Sequence, residues 1–206
     1  ALAARYRLAI VTSSEPEPFA RTHARTGLLP HFELVLMKGD YERSKPEPDP
    51  YLRAVERLRL ERTVREAYEA GRLCVQFQPE VELSSGRWVA AEALLRWRDE
   101  QGRCRAAQDF IDVIENSGLI VPIGRWMLHE ACSLAQGWPA LASGIGPKLR
   151  VNLSARQFEQ ASLVGDVTAA LAASGLQPGR LCLELTESIL LPDFAVASQT
   201  LTRLRE

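Results

Sequence analysis

Cysteine is scarce in this chain and spread thin. Cys74, Cys104, Cys132 and Cys182 form no Cys-x-x-Cys pair, which argues against a zinc site and against a disulfide framework. Three of them sit in apolar strand or helix patterns, where a free thiol acts as a small hydrophobe. A reducing cytoplasm is the expected compartment. No apolar run is long enough to span a bilayer. The N-terminus has no basic region followed by an apolar stretch and a small-residue cleavage site. The chain also starts without Met, so it is expected to be a fragment or a processed product. Charge of one sign is missing as well: the formal net charge is −1, which excludes a general binder of nucleic-acid polymers or anionic membranes. The three histidines, His23, His31 and His129, are isolated and support no Ser-His-Asp or Cys-His set.

What is present is a globular composition. The 206 residues are 46% apolar, enough for one large domain or two small ones. Three segments share one design: Ala91-Glu92-Ala93-Leu94-Leu95, Val151-Asn152-Leu153-Ser154 and Leu183-Glu184-Leu185-Thr186-Glu187. Each is a strand-like apolar run carrying an oxygen-bearing side chain at its end. Strands followed by helices aim such ends at one face of a sheet or barrel. Glu92, Asn152 and Glu184 are therefore expected to converge. Two carboxylates and an amide oxygen form a hard-oxygen set suited to Mg²⁺ or Mn²⁺. The plainer alternatives are a surface Glu at position 92 and an Asx turn at Asn152.

Strand and helix alternate through the second part of the chain. Leu73–Leu83 and Arg87–Leu95 flank the turn Ser84-Ser85-Gly86 and read as a hairpin. Helices are expected over Ala107–Asn116, Gly124–Gln136, Phe158–Ala173 and Phe194–Arg205, and strands over Leu149–Leu153 and Arg180–Leu185. This order implies parallel strands joined by crossover helices. Trp97, Trp126 and Trp138 are expected to pack in the core.

Residues 61–206 resemble the EAL family of cyclic-di-GMP phosphodiesterases. The match runs through Phe77-Gln78-Pro79-Glu80-Val81-Glu82-Leu83, Glu92-Ala93-Leu94, Phe110-Ile111, Glu115, Gly118-Leu119-Ile120, Ile123-Gly124-Arg125-Trp126, Asn152-Leu153-Ser154, Gln157-Phe158 and Glu184-Leu185-Thr186-Glu187-Ser188. A lone Glu-Ala-Leu recurs widely; the ordered set is specific. The resemblance implies an α/β fold, a partial TIM-like (β/α) barrel with an unusual first strand. A full barrel of this kind takes roughly 250 residues. It further implies cyclic-di-GMP as ligand, hydrolysis to pGpG, and Mg or Mn as cofactor. Glu92, Asn152 and Glu184 would hold metal, Gln78 and Arg96 would contact the dinucleotide, and Glu187 would steady a neighbouring loop. The alternatives are a solvent-facing strand residue for Gln78, an ion pair with Asp99 or Glu100 for Arg96, and a turn cap for Glu187. The family's later motifs, a paired Asp-Asp and a catalytic Lys among them, have no counterpart in these 206 residues, so turnover by this chain is not expected. Open barrel edges and an apolar inner face would favour self-association.

Residues 1–60 read differently. Arg7–Thr12 and Phe32–Met37 are strand-like, with a helix expected over Phe19–Thr26. Ile10-Val11-Thr12-Ser13-Ser14 and Ser44-Lys45-Pro46 resemble the second and third motifs of the haloacid dehalogenase-like phosphatase superfamily, which implies a Rossmann-like fragment. In that resemblance Thr12 and Lys45 hold a phosphoryl group, a strand-end hydroxyl beside a point charge. The family's nucleophilic Asp and acidic fourth motif have no counterpart here. The seam falls near Arg57–Arg62, with one continuous helix expected from Tyr51 to about Ala70. Alternatives to the phosphodiesterase reading are thus a phosphatase fragment and a non-catalytic binding module.

Overall fold

The computed structural model describes residues 5–141, 144, 146–185 and 194–205. The first unit is a right-sized βαβ: strand β1 (Ala9–Val11), helix α1 (Pro16–His23) and strand β2 (Leu34–Leu36). β1 and β2 pair in parallel, with Ile10 opposite Val35. Helix α1 starts earlier than expected because Pro16 sits in its first turn, where a missing N–H costs nothing.

Helix α2 (Asp49–Glu69) crosses the seam without interruption. Pro50 suits its first turn, and Gly71, at φ 66°, lets the chain turn out of it into the next strand. It packs on β1 and β2 and also on the following sheet and helix. Val64 and Ala67 are fully buried in the main core. At the seam the buried Glu61 accepts Arg7 Nη2 at 2.7 Å and Arg65 Nη2 at 3.0 Å. Arg7 also donates to the carbonyl of Leu58 at 2.8 Å. The first unit is thereby bolted to the same helix that closes the second.

The second unit is built on β3 (Leu73–Val81), β4 (Trp88–Arg98), β5 (Cys104–Ala106), β6 (Lys148–Asn152) and β7 (Leu181–Glu184). The sheet order is β3-β4-β6-β7, with β5 also on β4. β3 and β5 run antiparallel to β4, while β4, β6 and β7 are mutually parallel. Helices α3 (Ile111–Ser117), α4 (Ile120–Gln136), α5 (Ala155–Phe158), α6 (Leu163–Ser174) and α7 (Phe194–Arg205) complete the order. The result is an α/β chain with part of a (β/α) barrel, as expected.

Period-two alternation divides the sheet cleanly. Ala93, Leu95, Trp97, Leu149 and Val151 are buried on one face, in one core with Ile123, Met127, Ala131 and Cys132 of α4 and Val167 and Ala170 of α6. The α4 residues recur every three or four positions, which keeps them on one side of the helix. Of the three tryptophans expected in the core, Trp97 is buried, whereas Trp126 and Trp138 pack partly exposed at its margin.

Several expectations are corrected. β4 continues to Arg98 and β5 is an extra strand, too short at three residues to show a pattern. The helix expected over Phe158–Ala173 is two helices. Leu163 N bonds to Gln160 O at 3.0 Å, tightening the chain between them. That break brings both Phe158 and Leu163 into the core, which five residues of continuous helix would set on different sides. The inner face of the sheet is not apolar either. It carries Gln76, Gln78, Glu80, Glu92, Arg96, Arg150 and Glu184, register neighbours that share a side.

Candidate functional site

The polar face takes its order from strand register. Gln78 lies opposite Glu92, Glu92 opposite Arg150, and Asn152 opposite Glu184. Asn152 and Glu184 are the last residues of their strands, but Glu92 lies in the middle of β4. They still meet, because Asn152 stands only two residues beyond Arg150, the register partner of Glu92, and so shares its face. Asn152 Nδ2 donates to Glu92 Oε1 at 2.6 Å. That bond uses the Nδ2 end of the amide, so the oxygen end is the one that could face a cation.

The turn after Asn152 is held independently. Ser154 caps α5 in a reciprocal capping box: Gln157 N donates to Ser154 Oγ at 3.3 Å, and Ser154 N to Gln157 Oε1 at 3.2 Å. Two orphan backbone donors are satisfied this way. Gly124 makes room for the Gln157 side chain, because a Cβ there would fall 2.1 Å from Gln157 Nε2. The motif residues Gly124, Ser154 and Gln157 therefore act together to fix the strand end that presents Asn152.

A cavity of about 480 Å³ opens at this end of the strands, lined by Leu94, Glu115, Met127, Asn152, Ser154 and Glu184 among others. Two larger clefts, of about 650 and 550 Å³, lie along α2 away from these groups. Chemistry rather than size singles out the smaller one, since Asn152 and Glu184 line it, while Glu92 lies outside its lining.

Arg96 does not pair with Asp99 or Glu100. Its Nε donates to Gln76 Oε1 at 3.0 Å and its Nη1 to the Leu95 carbonyl. Asp99 instead closes the β4–β5 turn, accepting from the backbone of Gln101 and Arg103 and from Arg103 Nε at 2.8 Å. Gln78 is exposed on the polar face. Glu187 lies outside the described residues. In the first unit, Lys45 Nζ donates to the Val11 carbonyl at 3.2 Å, next to Thr12, whose own carbonyl accepts from Tyr41 Oη at 2.7 Å. Thr12 and Lys45 are thus drawn to one strand end.

Sequence reasoning missed Arg150. It donates from Nε to Glu80 at 3.0 Å and from Nη1 to Glu184 Oε1 at 2.7 Å. The bond to Glu184, with the charge of Glu80, raises its guanidinium further above an ordinary arginine. The available signal was period two: Arg150 stands two residues before Asn152, and Glu80 two after Gln78. Among the described residues no three His, Cys, Asp or Glu side chains gather closely enough to hold a metal. The set here is two carboxylates and an amide, hard oxygens of the kind a small divalent ion takes. Nor is any described helix long and apolar enough to cross a membrane.

Comparison with known proteins finds two families along the chain, with matches that overlap at residues 61–65. The EAL domain family matches residues 61–206, and the haloacid dehalogenase-like hydrolase family matches residues 1–65. The "Bifunctional diguanylate cyclase/cyclic di-GMP phosphodiesterase MucR" of Pseudomonas aeruginosa is 40% identical over 141 residues, 68% of this chain and 20% of that protein. The "Uncharacterized protein y4lL" of Sinorhizobium fredii is 39% identical over 163 residues, 79% of this chain and 19% of that protein. The chain spans about a fifth of the length of these curated relatives. Among solved structures, the "PaMucR Phosphodiesterase, c-di-GMP complex" superposes with a TM-score of 0.64 at 36% identity, over 71% of this chain and 59% of that one. The cAMP and cyclic-di-GMP bound form of the EAL enzyme Bd1971 gives 0.67 at 29% identity, over 74% and 42%. The match covers well over half of the residues, and the chain belongs to the EAL domain family.

Proposed function

We propose that residues 61–206 are the part of a cyclic-di-GMP phosphodiesterase barrel that carries its first metal ligands and part of its dinucleotide contacts, and that residues 1–60 are a separate haloacid dehalogenase-like fragment. The observation that carries this reading is the contact between Asn152 and Glu92, 2.6 Å apart on neighbouring strands. It joins two motif residues that lie far apart in sequence, on the polar face of the sheet.

In this reading Glu92, Asn152 and Glu184 supply the oxygens for Mg²⁺ or Mn²⁺. Such an ion polarises a phosphoryl oxygen and makes water a better nucleophile. Arg96 offers a guanidinium fork to a phosphate, once it exchanges Gln76 for that partner. Gln78, opposite Glu92 and exposed, offers an amide to the same ligand. Glu187 would steady the adjoining loop. Among the described residues this face carries no second acidic pair and no lysine poised as a base. Binding of cyclic-di-GMP without hydrolysis is therefore the activity assigned to this polypeptide. In the first unit Thr12 and Lys45 would cradle a phosphate without a nucleophile to turn it over.

Equilibrium dialysis with cyclic-di-GMP and Mn²⁺, followed by chromatography of the nucleotide, tests both parts. Saturable binding with no pGpG is expected. Undetectable binding would remove the ligand assignment, and multiple-turnover formation of pGpG would remove the claim of inactivity.

A further inference from the structure

One cation already sits among the proposed metal ligands. Arg150 stands two residues before Asn152 on β6 and so shares its face. Its guanidinium bridges Glu80 on β3 and Glu184 on β7, with N–O separations of 2.9 and 2.7 Å. All three side chains are about one-third exposed, at 35, 37 and 34%. The bridge therefore lies at the mouth of the polar face rather than in the core.

The geometry sets up a competition. Glu184 Oε1 is spent on Arg150 Nη1, and a guanidinium and a divalent ion seek the same carboxylate lone pairs. A divalent ion at Glu92 and Asn152 would also face a like charge at Arg150, the register neighbour of Glu92. Glu80 offers the guanidinium a second resting place, because Arg150 Nε lies within reach of both its oxygens.

We infer that Arg150 is an internal counter-cation that holds Glu184 away from a divalent ion, and that ion loading requires the guanidinium to swing onto Glu80 alone. This rests on the proposed role of Glu92, Asn152 and Glu184 as metal ligands. Arg150 is a positioning residue in this scheme, since it acts through Glu184. An ion then loads only when the guanidinium leaves Glu184 for Glu80, which makes metal affinity adjustable at one side chain.

The test uses Mn²⁺ alone, with free ion measured by its electron paramagnetic resonance signal. Arg150→Gln keeps hydrogen-bonding groups but removes the charge. It is expected to tighten Mn²⁺ binding about tenfold, the scale of removing one like charge a few ångströms away. Arg150→Lys retains the charge and is expected to stay close to the unsubstituted chain. Unchanged or weaker binding in Arg150→Gln would overturn the inference. Adding Glu92→Gln to Arg150→Gln separates the two layers. If Mn²⁺ binding then survives intact, the metal-ligand reading itself fails; if it is lost while Arg150→Gln alone gave no gain, only the role of Arg150 fails. Should Arg150→Gln not fold, the Nε–H resonance of Arg150 in the unsubstituted chain reads the same event. It is expected to shift during a Mg²⁺ titration, and a static resonance with the ion bound would overturn the proposal.

Discussion

Gly124 and Gln157 occupy one space: a Cβ on Gly124 would lie 2.1 Å from Gln157 Nε2 and 2.5 Å from Gln157 Cδ. One residue is in the second turn of α4 and the other in the capping box that turns the chain after Asn152. In an ordinary helix interior Gly→Ala stabilises by about 1 kcal/mol. Here that gain is opposed by loss of the box, itself about 1 kcal/mol. Gly124→Ala is expected to be neutral or destabilising in the unsubstituted chain, but stabilising by about 1 kcal/mol in a Gln157→Ala background. Urea unfolding of the four proteins in the cycle checks it. Equal effects in both backgrounds would show that the two residues do not interact.

Asp99 gives a pH signature. Burial opposes ionisation of this carboxyl, but hydrogen bonds from the Arg103 backbone and side chain, the charge of Arg103 and the Gln101 backbone outweigh it and hold its pKa below the usual value. A depressed folded-state pKa stabilises the fold above the unfolded value and loses that contribution as the pH falls through the folded one. Asp99→Asn is expected to melt at a lower temperature than the unsubstituted chain at neutral pH. The difference should narrow as the pH drops below about 4. A gap that stays constant into acid would contradict the assignment.

The thiols should separate by environment. Cys132 is fully buried between α4 and its neighbours, and burial pushes its thiol up to about 11. Cys104 is exposed on β5. Because the thiolate is the reactive form, a chromogenic disulfide reagent at mildly alkaline pH is expected to label Cys104 quickly and Cys132 only after denaturation. Peptide mapping of the first-labelled site decides it, and early labelling of Cys132 would mean that the α4 core opens readily.

Strand edges set the behaviour in solution. β3 and β7 each have a neighbour on one side only among the described residues, and unpaired edges invite pairing with another copy. The face between them is polar, so association is expected through edges rather than through a greasy interior. Light scattering should report species larger than the monomer, with little enhancement of ANS fluorescence. Strong ANS binding would point to association through exposed apolar side chains such as Tyr51, Leu52 and Val55 instead.

Much of this was legible in sequence because the signals are local. The helix end near Gly118 and the alternation of β4 follow from neighbouring residues, whereas the short helix capped by Ser154 went unread. The continuous α2 was legible because no Gly or Pro interrupts residues 51–69. Two things were not legible. The break between Phe158 and Leu163 is imposed by the need to bury both, which only the packed core defines. The Arg150 bridge joins residues 70 and 34 positions away, and which carboxylates it reaches depends on the strand order β3-β4-β6-β7. The polar character of the inner face was implicit in period two once the pairing was known, but strand pairing is a tertiary fact.

The placement of the ion site is tested most directly by paramagnetic line broadening. In a ¹⁵N-correlated spectrum of the unsubstituted chain, substoichiometric Mn²⁺ is expected to broaden the Asn152 side-chain amide first, together with the backbone amides of Glu92 and Glu184. Broadening centred instead on the acidic loop around Asp40 and Glu42, with the Asn152 amide unaffected, would contradict the assignment of Glu92, Asn152 and Glu184 as the metal-binding set.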